Sequence, residues 1–259
     1  MLKTVAHAGQ VLDLFTIEAP EWGPTAVAEV LGVSKSQAHE LLVSLAGTGL
    51  LCRRMNGRYE LGWRVASLHA ILARTSTVKM AAQPALGVLA ARHGATANLA
   101  VRDRGRVVYV DRRADRQAST IQTPAVGARL PGHGSAVGKQ LLAACDEGEL
   151  LSLLGEGRLQ RFTPRTATSV DSLWPELLRV REDGIAVDRG ETMGDLRCVA
   201  ALLRDPKGDA VAALSISMPA QNWPRDHDQL AAGVLEAAAG IQGRMRAASG
   251  GRTVVGARG

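Results

Sequence analysis

The sequence predicts an α+β protein with two parts: a small helical unit that ends in a β-hairpin, and a larger unit with a central, mostly antiparallel sheet. Two observations indicate this. Residues 24–62 contain two short amphipathic helical stretches around Gly32, followed by a hairpin whose turn contains Asn56-Gly57. After residue 95, apolar runs of strand length alternate with helical stretches and turn sequences. With 259 residues, of which 46% are hydrophobic, the chain is long enough for two modest domains.

The first two helices of the small unit are expected from their apolar spacing. A helix near the start should turn four apolar side chains inward: Val5, Ala8, Leu12 and Phe15. Thr25 is a favourable cap for a second helix that ends at residue 31, before the turn at Gly32. The small apolar face of this helix, which suits close packing, consists of Ala28, Val30 and Leu31.

The third helix has a well-defined start and a well-defined buried face. Ser34 is a favoured N-cap, and Gln37 three residues later completes a capping box. Apolar residues at helical spacing form the buried stripe: Ala38, Leu41, Leu42 and Leu45. The opposite face, which includes Ser36, Glu40 and Val43, must then point to solvent.

A hairpin with strands over 50–53 and 58–61 follows this helix. Two helices, a tight turn and a hairpin in this order form a winged helix-turn-helix, which reads double-stranded DNA. The third helix then faces the bases and the hairpin arginines contact phosphate or a minor groove. The expected DNA-contacting residues are Lys35, Ser36, Gln37, His39, Glu40, Arg53, Arg54 and Arg58. The same geometry also occurs in folds that do not bind DNA, so a protein-interaction module is an alternative.

The net charge of +6 is not concentrated in this unit, because residues 1–64 contain six basic and six acidic side chains. The excess lies in the segment 102–116 and in the last residues of the chain. A solvated face and a disordered tail explain those clusters better than a nucleic-acid surface does. Affinity for DNA would then depend on the hairpin arginines and on doubling of the unit in a dimer.

The sequence also indicates the cellular environment in which the protein functions. No apolar run approaches the ~20 residues of a membrane-spanning helix, and polar residues interrupt the first fifteen positions, unlike an export signal. The cysteines are scattered and odd in number, which argues against a disulfide framework or a paired zinc motif: Cys52, Cys145 and Cys198. We therefore expect a cytoplasmic protein with no membrane partner, no metal and no cofactor.

The larger unit should begin after a linker helix over 63–80 that can also pair with its twin. Pro84 then occupies the first turn of another helix, 85–91, which ends at Gly94. Strands are expected over 96–101, 106–111, 119–123, 196–203 and 210–217. Helices are expected over 135–144, 147–154, 171–183 and 226–245, and the Gly-rich end should be disordered.

Residues 130–140, L-P-G-H-G-S-A-V-G-K-Q, resemble three catalytic or phosphate-binding motifs but complete none of them. A P-loop would need Gly at His133 and Ser or Thr at Gln140, and a dinucleotide loop would need Gly at Val137. A nucleophile elbow around Ser135 would need Gly at both His133 and Val137. The glycines and the helix that follows suit a small carboxylate instead, although an ordinary strand-to-helix turn explains this segment equally well when it is taken alone.

Several motifs in a fixed order make the chain similar to the IclR family of bacterial transcription regulators over nearly its whole length. They are S-K-S-x-A-H-x-L-L (34–42), Y-E-L-G (59–62), L-P-x-H-x-S-A-x-G-K-x-L-L-A (130–143), G-I-A-V-D-R-G-E (184–191), L-R-C-V-A-A (196–201) and A-L-S-I-S (213–217). The resemblance implies four segments. They are a winged DNA-binding domain (1–64), a linker helix (65–80), a GAF-like effector-binding domain (81–247) and a disordered tail (248–259).

The resemblance also implies an effector pocket between the sheet and the loop before the L-P-x-H motif. Matching positions are Leu130, Ala136, Val137, Asp188, Leu196, Cys198, Ser215 and Ser217. Apolar walls, a few hydroxyls, one acid and free backbone N–H groups suit a small organic acid. Gly132 and Gly134 stand where the family has bulkier residues, which would widen the pocket mouth and favours an aromatic acid.

Gln37 and Glu40 stand where the recognition helix of the family usually carries Thr and Arg. Glu accepts from N4 of cytosine and Gln pairs with adenine, so the operator preference should differ from that of relatives with Arg. We therefore expect a homodimeric or tetrameric regulator, most simply a repressor, whose operator binding responds to a small organic acid. An enzyme that processes a small acid through His133, Ser135 and Asp188 is the alternative from another class.

Overall fold

The computed structural model describes residues 2–103, 106–116, 118, 125–155, 157–224 and 227–250. The chain divides into two compact units between Thr75 and Ser76. The first unit is mainly helical with a small hairpin, and the second is built on a sheet. The α+β class expected from the sequence is confirmed.

The first unit contains α1 (Lys3–Asp13), α2 (Pro24–Leu31), α3 (Lys35–Gly47), β1 (Leu51–Arg53), β2 (Tyr59–Leu61) and α4 (Arg64–Thr75). The two strands pair antiparallel, and Trp22 adds a bridge to Tyr59 at the edge of the hairpin. The core of the unit packs the inner faces of α1, α2 and α3 against the hairpin, with Val11, Val27, Leu42 and Tyr59 fully buried. This arrangement is the expected winged helix-turn-helix.

Two details of the first two helices differ from the sequence prediction. Val11, not Val5, is the buried residue of α1, and Val5 is 60% exposed. Pro24 begins α2 and Gly23 is its N-cap, so the predicted cap at Thr25 is wrong. Proline at the first helical position needs no capping partner for its nitrogen. The helix therefore starts two residues earlier than predicted, and Val27 rather than Val30 is buried.

The helical segment after the hairpin also differs from the prediction. A single helix over 63–80 is wrong, because α4 ends at Thr75 and α5 spans Thr77–His93. Ser76 separates them and caps α5, accepting a hydrogen bond from Lys79 N at 3.4 Å. Pro84 therefore lies inside α5 rather than in a first turn. Gly94, in the left-handed region with φ of 57°, ends α5 as predicted.

The second unit has a sheet of six described strands: β3 (Thr96–Asp103), β4 (Arg106–Ala114), β5 (Arg129–Pro131), β6 (Ile185–Asp188), β7 (Leu196–Arg204) and β8 (Ala210–Pro219). Their order is β5-β4-β3-β8-β7-β6, and every neighbouring pair is antiparallel. The short edge strands β5 and β6 were not predicted from the sequence. The strand expected over 119–123 falls largely outside the described residues.

Helices cover both faces of this sheet: α6 (Ala136–Ala143), α7 (Glu147–Leu154), α8 (Val170–Asp183) and α9 (Asp228–Gly250). One apolar core lies between the sheet and the pair α5 and α9, and the other lies between the sheet and the pair α6 and α8. The first three residues of the disordered tail expected over 248–259 belong to α9 instead, and the rest lies outside the described residues.

A close backbone crossing fixes the start of α6. The 3-10 turn Gly132–Gly134 precedes this helix, and a Cβ on Gly138 would lie only 2.1 Å from the carbonyl oxygen of Gly132. Only glycine therefore fits at position 138. The crossing holds the first turn of α6 against the sheet.

Candidate functional site

The recognition helix α3 begins with the expected capping box. Ser34 Oγ accepts from Gln37 N at 3.2 Å, and Gln37 Oε1 accepts from Ser34 N at the same distance. These two bonds satisfy backbone groups that the helix itself leaves unpaired. The amide oxygen of Gln37 thus already accepts a hydrogen bond within the protein, and a bidentate contact with adenine would have to use its second lone pair or displace that bond.

The outer face of α3 is polar and open to solvent. Its exposed residues include all five that the sequence predicted for this helix: Lys35, Ser36, Gln37, His39 and Glu40. The opposite face is buried as expected, through Ala38, Leu41, Leu42 and Leu45. Because the fold uses only the apolar face, the polar face is available to a partner.

The hairpin arginines are exposed, but two of them are paired with acidic side chains. Arg54 Nη2 lies 2.7 Å from Glu60 Oε2, and Arg58 Nε lies 3.6 Å from Glu21 Oε2. Arg53 is also exposed, on the edge of β1. Exposed pairs of this kind contribute only about 0–1 kcal/mol each, so phosphate groups can displace the carboxylates.

A small cavity lies in the second unit, between the sheet and the start of α6. Its walls contain seven of the eight residues expected to bind an effector: Leu130, Ala136, Val137, Asp188, Leu196, Cys198 and Ser215. Four more residues complete the walls: Tyr109, Ser135, Thr192 and Met193. The cavity volume is about 20 Å³, which is room for about one water molecule.

Asp188, at the end of β6, is the acid in the cavity wall. Its side chain is almost completely buried, and Oδ1 accepts from Gly190 N at 2.9 Å and from Glu191 N at 2.7 Å. Burial raises the pKa of this carboxyl to about 6, the two backbone hydrogen bonds and Lys139 oppose the shift, and the charge of Glu191 adds to it. Asp188 is therefore the group in the cavity that titrates near neutral pH.

A buried ion-pair network supports the segment that carries Asp188. Lys139 on α6 is fully buried, and its Nζ lies 2.6 Å from Glu191 Oε2 and 2.7 Å from Glu176 Oε1. It also donates to the carbonyl oxygen of Val187 at 2.9 Å. The Lys139 ammonium thus connects α6, α8 and the end of β6. These contacts stabilise the part of the cavity wall that contains Asp188.

The other polar wall groups stay neutral. Burial is the main cause that raises the pKa of Tyr109 and of Cys198, so the phenol and the thiol keep their protons at neutral pH. Both can offer a hydrogen to an acceptor. The wall at Tyr109, Cys198 and Ser215 therefore consists of neutral hydrogen-bonding groups.

Ser217 is the predicted effector residue that does not line the cavity. It lies beside the wall, where its Oγ donates to the carbonyl oxygen of Thr96 at 3.3 Å and accepts from Asn98 Nδ2 at 3.0 Å. Asn98 Nδ2 also lies 3.4 Å from Ser215 Oγ, which does line the cavity. Hydrogen-bonded polar side chains thus continue from Ser215 in the wall to Asn98 on β3, outside the cavity.

Gly132 does not act as the sequence predicted. Gly132 does not widen the cavity mouth, because its missing side chain is replaced by Leu142 and Val107 of the core. Gly134 faces Thr192, whose Oγ1 donates to the Gly134 carbonyl oxygen at 2.6 Å. The preference for an aromatic acid that was based on Gly132 loses that support.

His133 and Ser135 are both engaged by the fold. His133 Nε2 is 2.8 Å from the carbonyl oxygen of Gln160, and the ring stacks on Phe162 with 5.5 Å between centroids. Ser135 Oγ accepts from Gly138 N and caps α6. These contacts give each side chain a structural role, and they leave the suggested acid–base pair without support.

Tyr109, Thr192 and Met193 were missed by the sequence prediction. Thr192 and Met193 lie in the irregular segment between β6 and β7, where no helix or strand periodicity indicates which side chains point inward. Tyr109 had a usable signal, since it lies two residues after the buried Val107 and so on the same face of β4. Among the described residues, no cluster of His, Cys, Asp and Glu suits a metal ion, and no helix is long and apolar enough to span a membrane.

An exposed polar helix face in a winged helix-turn-helix and a small cavity with apolar and polar walls in a separate α+β unit are the features of a DNA-binding transcription regulator with an effector domain. Two family models match the chain: the IclR helix-turn-helix domain over residues 4–54, and the C-terminal domain of bacterial transcriptional regulator IclR over residues 69–242. The chain belongs to the IclR family, whose members are regulators and not enzymes.

Individual relatives agree with this assignment. The chain is 34% identical to the HTH-type transcriptional regulator XynR of Escherichia coli, over 84% of this chain and 86% of XynR. It is 33% identical to the transcriptional repressor AllR of Escherichia coli, over 66% of this chain and 62% of AllR. Among solved structures, an IclR homologue from Microbacterium hydrocarbonoxydans in complex with 4-hydroxybenzoate has a TM-score of 0.78 and 25% identity. That match covers 94% of this chain and 99% of the homologue.

Proposed function

We propose that this regulator is a repressor that binds its operator as a homodimer, or as a tetramer, and is released when a small organic acid enters the cavity of the second unit. The observation that carries the proposal is the cavity itself, because it combines apolar walls, neutral donors and a helix start in one small space. The expected domains are 1–64 for DNA, 65–80 as linker and 81–247 for the effector, and the site of action is the cytoplasm.

Backbone and side-chain groups of the cavity suit a carboxylate. The start of α6 enters the wall through Ala136 and Val137, and a helix supplies no acceptors of its own for its first N–H groups. These groups and the positive end of the helix dipole favour an anion. Tyr109 and Ser215 add hydroxyls that donate. The 4-hydroxybenzoate complex of the Microbacterium homologue is consistent with an acid ligand.

The size of the cavity gives the proposal a mechanism. Ligand pockets usually have volumes of about 300–1,000 Å³, far above the value of about 20 Å³ found for this cavity. An acid must therefore displace the wall, most simply the irregular segment with Thr192 and Met193. A ligand that binds only a widened form shifts the population toward that form. Coupling to DNA typically requires about 1–3 kcal/mol of differential affinity.

An apolar stripe on α4 supports the homodimer. Leu68, Ile71 and Leu72 are all about half exposed or more, although helices normally bury such residues. Their spacing of three and four residues places them on one face. A second copy of the same helix is the partner that closed two-fold symmetry provides, and it would double the DNA-binding unit.

On DNA, the exposed face of α3 would read the bases and the hairpin would contact phosphates. Glu40 is placed to accept from N4 of cytosine, while Arg53, Arg54 and Arg58 are placed for the backbone. In vitro selection of bound duplexes from a random pool tests this. We expect an inverted repeat with cytosine at one position of each half-site and binding that weakens as salt rises. Selection of no sequence would contradict the proposal.

The acid is tested separately by calorimetry of the full chain with a panel of aliphatic and aromatic acids. Replacement of Ser215 and Ser217 by Ala should weaken binding of any acid that the natural chain binds, because both hydroxyls belong to or support the polar wall. Unchanged binding by the double variant would remove the cavity from the proposal.

A further inference from the structure

Asn98 on β3 and Arg112 on β4 do not line the cavity, but they lie on the sheet face that forms its wall. In the sheet, Asn98 on β3 lies directly opposite Ser215 on one side and opposite Arg112 on the other. Directly opposed residues share one face of a sheet, so all three point to the α6 side. Tyr109, which lines the cavity, is opposite Ala100 and thus also on this face.

The amide oxygen of Asn98 is buried without a hydrogen bond. Asn98 is only 2% exposed, and Nδ2 donates to Ser217 Oγ at 3.0 Å. The Ser217 hydroxyl donates its hydrogen to the carbonyl oxygen of Thr96, so its oxygen accepts a hydrogen bond from the Asn98 amide. This contact fixes the orientation of the amide. Oδ1 is then directed away from Ser217 and has no hydrogen-bond partner among the described residues.

Arg112 presents the complementary group. Its Nε is also buried and has no hydrogen-bond partner in the described part of the chain, while its backbone N donates to Asp111 Oδ1. A donor and an acceptor thus lie on opposed residues of neighbouring strands, and both are unsatisfied. Buried polar groups in folded proteins are nearly always paired, so two such groups together indicate a missing partner.

We propose that the effector is a hydroxy acid whose hydroxyl binds between Arg112 and Asn98 while its carboxylate binds at the start of α6. The inference rests on the proposed function, because it adds a second polar contact to the same ligand. A hydroxyl accepts from Arg112 Nε and donates to Asn98 Oδ1 with one oxygen atom. A carboxylate has no hydrogen for Asn98, and a methyl group satisfies neither residue.

The proposal assigns Asn98 and Arg112 as residues that determine specificity. A site built to bond a hydroxyl rejects the analogue that lacks it, since the unpaired groups then stay buried. Each hydrogen bond contributes modestly after exchange with water, so the preference for the hydroxy acid should be about three- to tenfold or more.

Matched pairs of acids test the assignment by calorimetry on the full chain. The pairs are benzoate against its 2-, 3- and 4-hydroxy derivatives, and propionate against lactate. We expect at least one hydroxy acid to bind about three- to tenfold more tightly than its parent. In Asn98→Leu and in Arg112→Met, the ratio of the two affinities should fall to about one. Arg113→Met is the matched control, since Arg113 is the exposed neighbour that pairs with Asp111 instead, and it should keep the ratio.

The outcomes separate the two proposals. If no acid binds, the proposed effector function fails. If acids bind but no hydroxy acid is preferred, the two groups serve a bound water only and the inference is overturned. A preference that survives in both Asn98→Leu and Arg112→Met also overturns it. Thermal unfolding of each variant shows whether it is folded, and either variant alone is sufficient because each removes one of the two bonds.

Discussion

Helix α3 exposes its polar side chains to solvent, whereas the cavity of the second unit buries them. On α3, the polar residues that face away from the core are exposed, and apart from the capping box the fold makes little use of them. In the cavity, Asp188, Ser215 and Cys198 are buried, and the network behind Asp188 is tied to Lys139. An exposed residue can change at little cost in stability, whereas a buried charge is costly to leave without its partner. Substitutions on the outer face of α3, which change the base preference, should therefore cost less stability than substitutions in the cavity wall.

The largest effect in this comparison should come from Lys139→Met. The substitution leaves the buried carboxylate of Glu191 without its ammonium, and such a loss typically costs about 3–5 kcal/mol. Urea unfolding measures it. Arg92→Met is the control, because the Arg92–Glu236 pair is exposed and should contribute less than about 1 kcal/mol. Equal effects of the two substitutions would show that the buried network does not stabilise the cavity wall.

The next effect concerns pH. Glu191, Lys139, Cys198 and Tyr109 surround Asp188, whose pKa is raised to about 6, chiefly by burial. The neutral fraction of Asp188 therefore rises as pH falls. A neutral Asp188 does not repel an anionic ligand that binds beside it. From pH 7.5 to 5.5 the neutral fraction rises roughly 20-fold, and affinity for an acid should rise by up to that factor.

Calorimetry at several pH values checks this, with Asp188→Asn as the control that should remove the dependence. Affinity that falls as pH falls would mean that the ionised carboxylate accepts a hydrogen bond from the ligand.

The smallest effect on stability should come from Glu40→Ala. Glu40 is exposed on the outer face of α3, so unfolding should change by no more than about 0.5 kcal/mol. Base preference should relax at one operator position, where a good contact is worth about 1–3 kcal/mol. Leu42→Ala in the same helix is the contrast, with an expected loss of about 2–5 kcal/mol because Leu42 is fully buried. An unchanged base preference would mean that α3 docks differently.

The same contrast explains what the sequence could predict. The capping box of Ser34 and Gln37, the buried stripe of α3 and the hairpin turn are local patterns, and the structure contains all of them. The long strands β7 and β8 were also predicted within a few residues, because they are apolar runs between clear turns. Periodicity and turn chemistry act over a few residues, so they are visible in the chain.

Features that depend on tertiary partners could not be predicted. The edge strands β5 and β6 are only three and four residues long and exist because a neighbour pairs with them. The register of α1 and the break at Ser76 depend on packing and on one capping bond. The motif positions named seven residues of the cavity wall, but the Lys139 network and the opposed pair Asn98 and Arg112 join residues far apart in sequence. Only the folded sheet brings them together.

Operator release by a cavity ligand would show directly whether the second unit controls DNA binding. Fluorescence anisotropy of a labelled operator duplex, selected with the natural chain, is followed while an acid that calorimetry shows to bind is added. We predict that the duplex is released with a midpoint that follows the acid's Kd. We also predict that the variant with Ser215→Ala and Ser217→Ala needs more acid. If the acid saturates the cavity while operator affinity stays unchanged, the cavity does not control DNA binding and the account is contradicted.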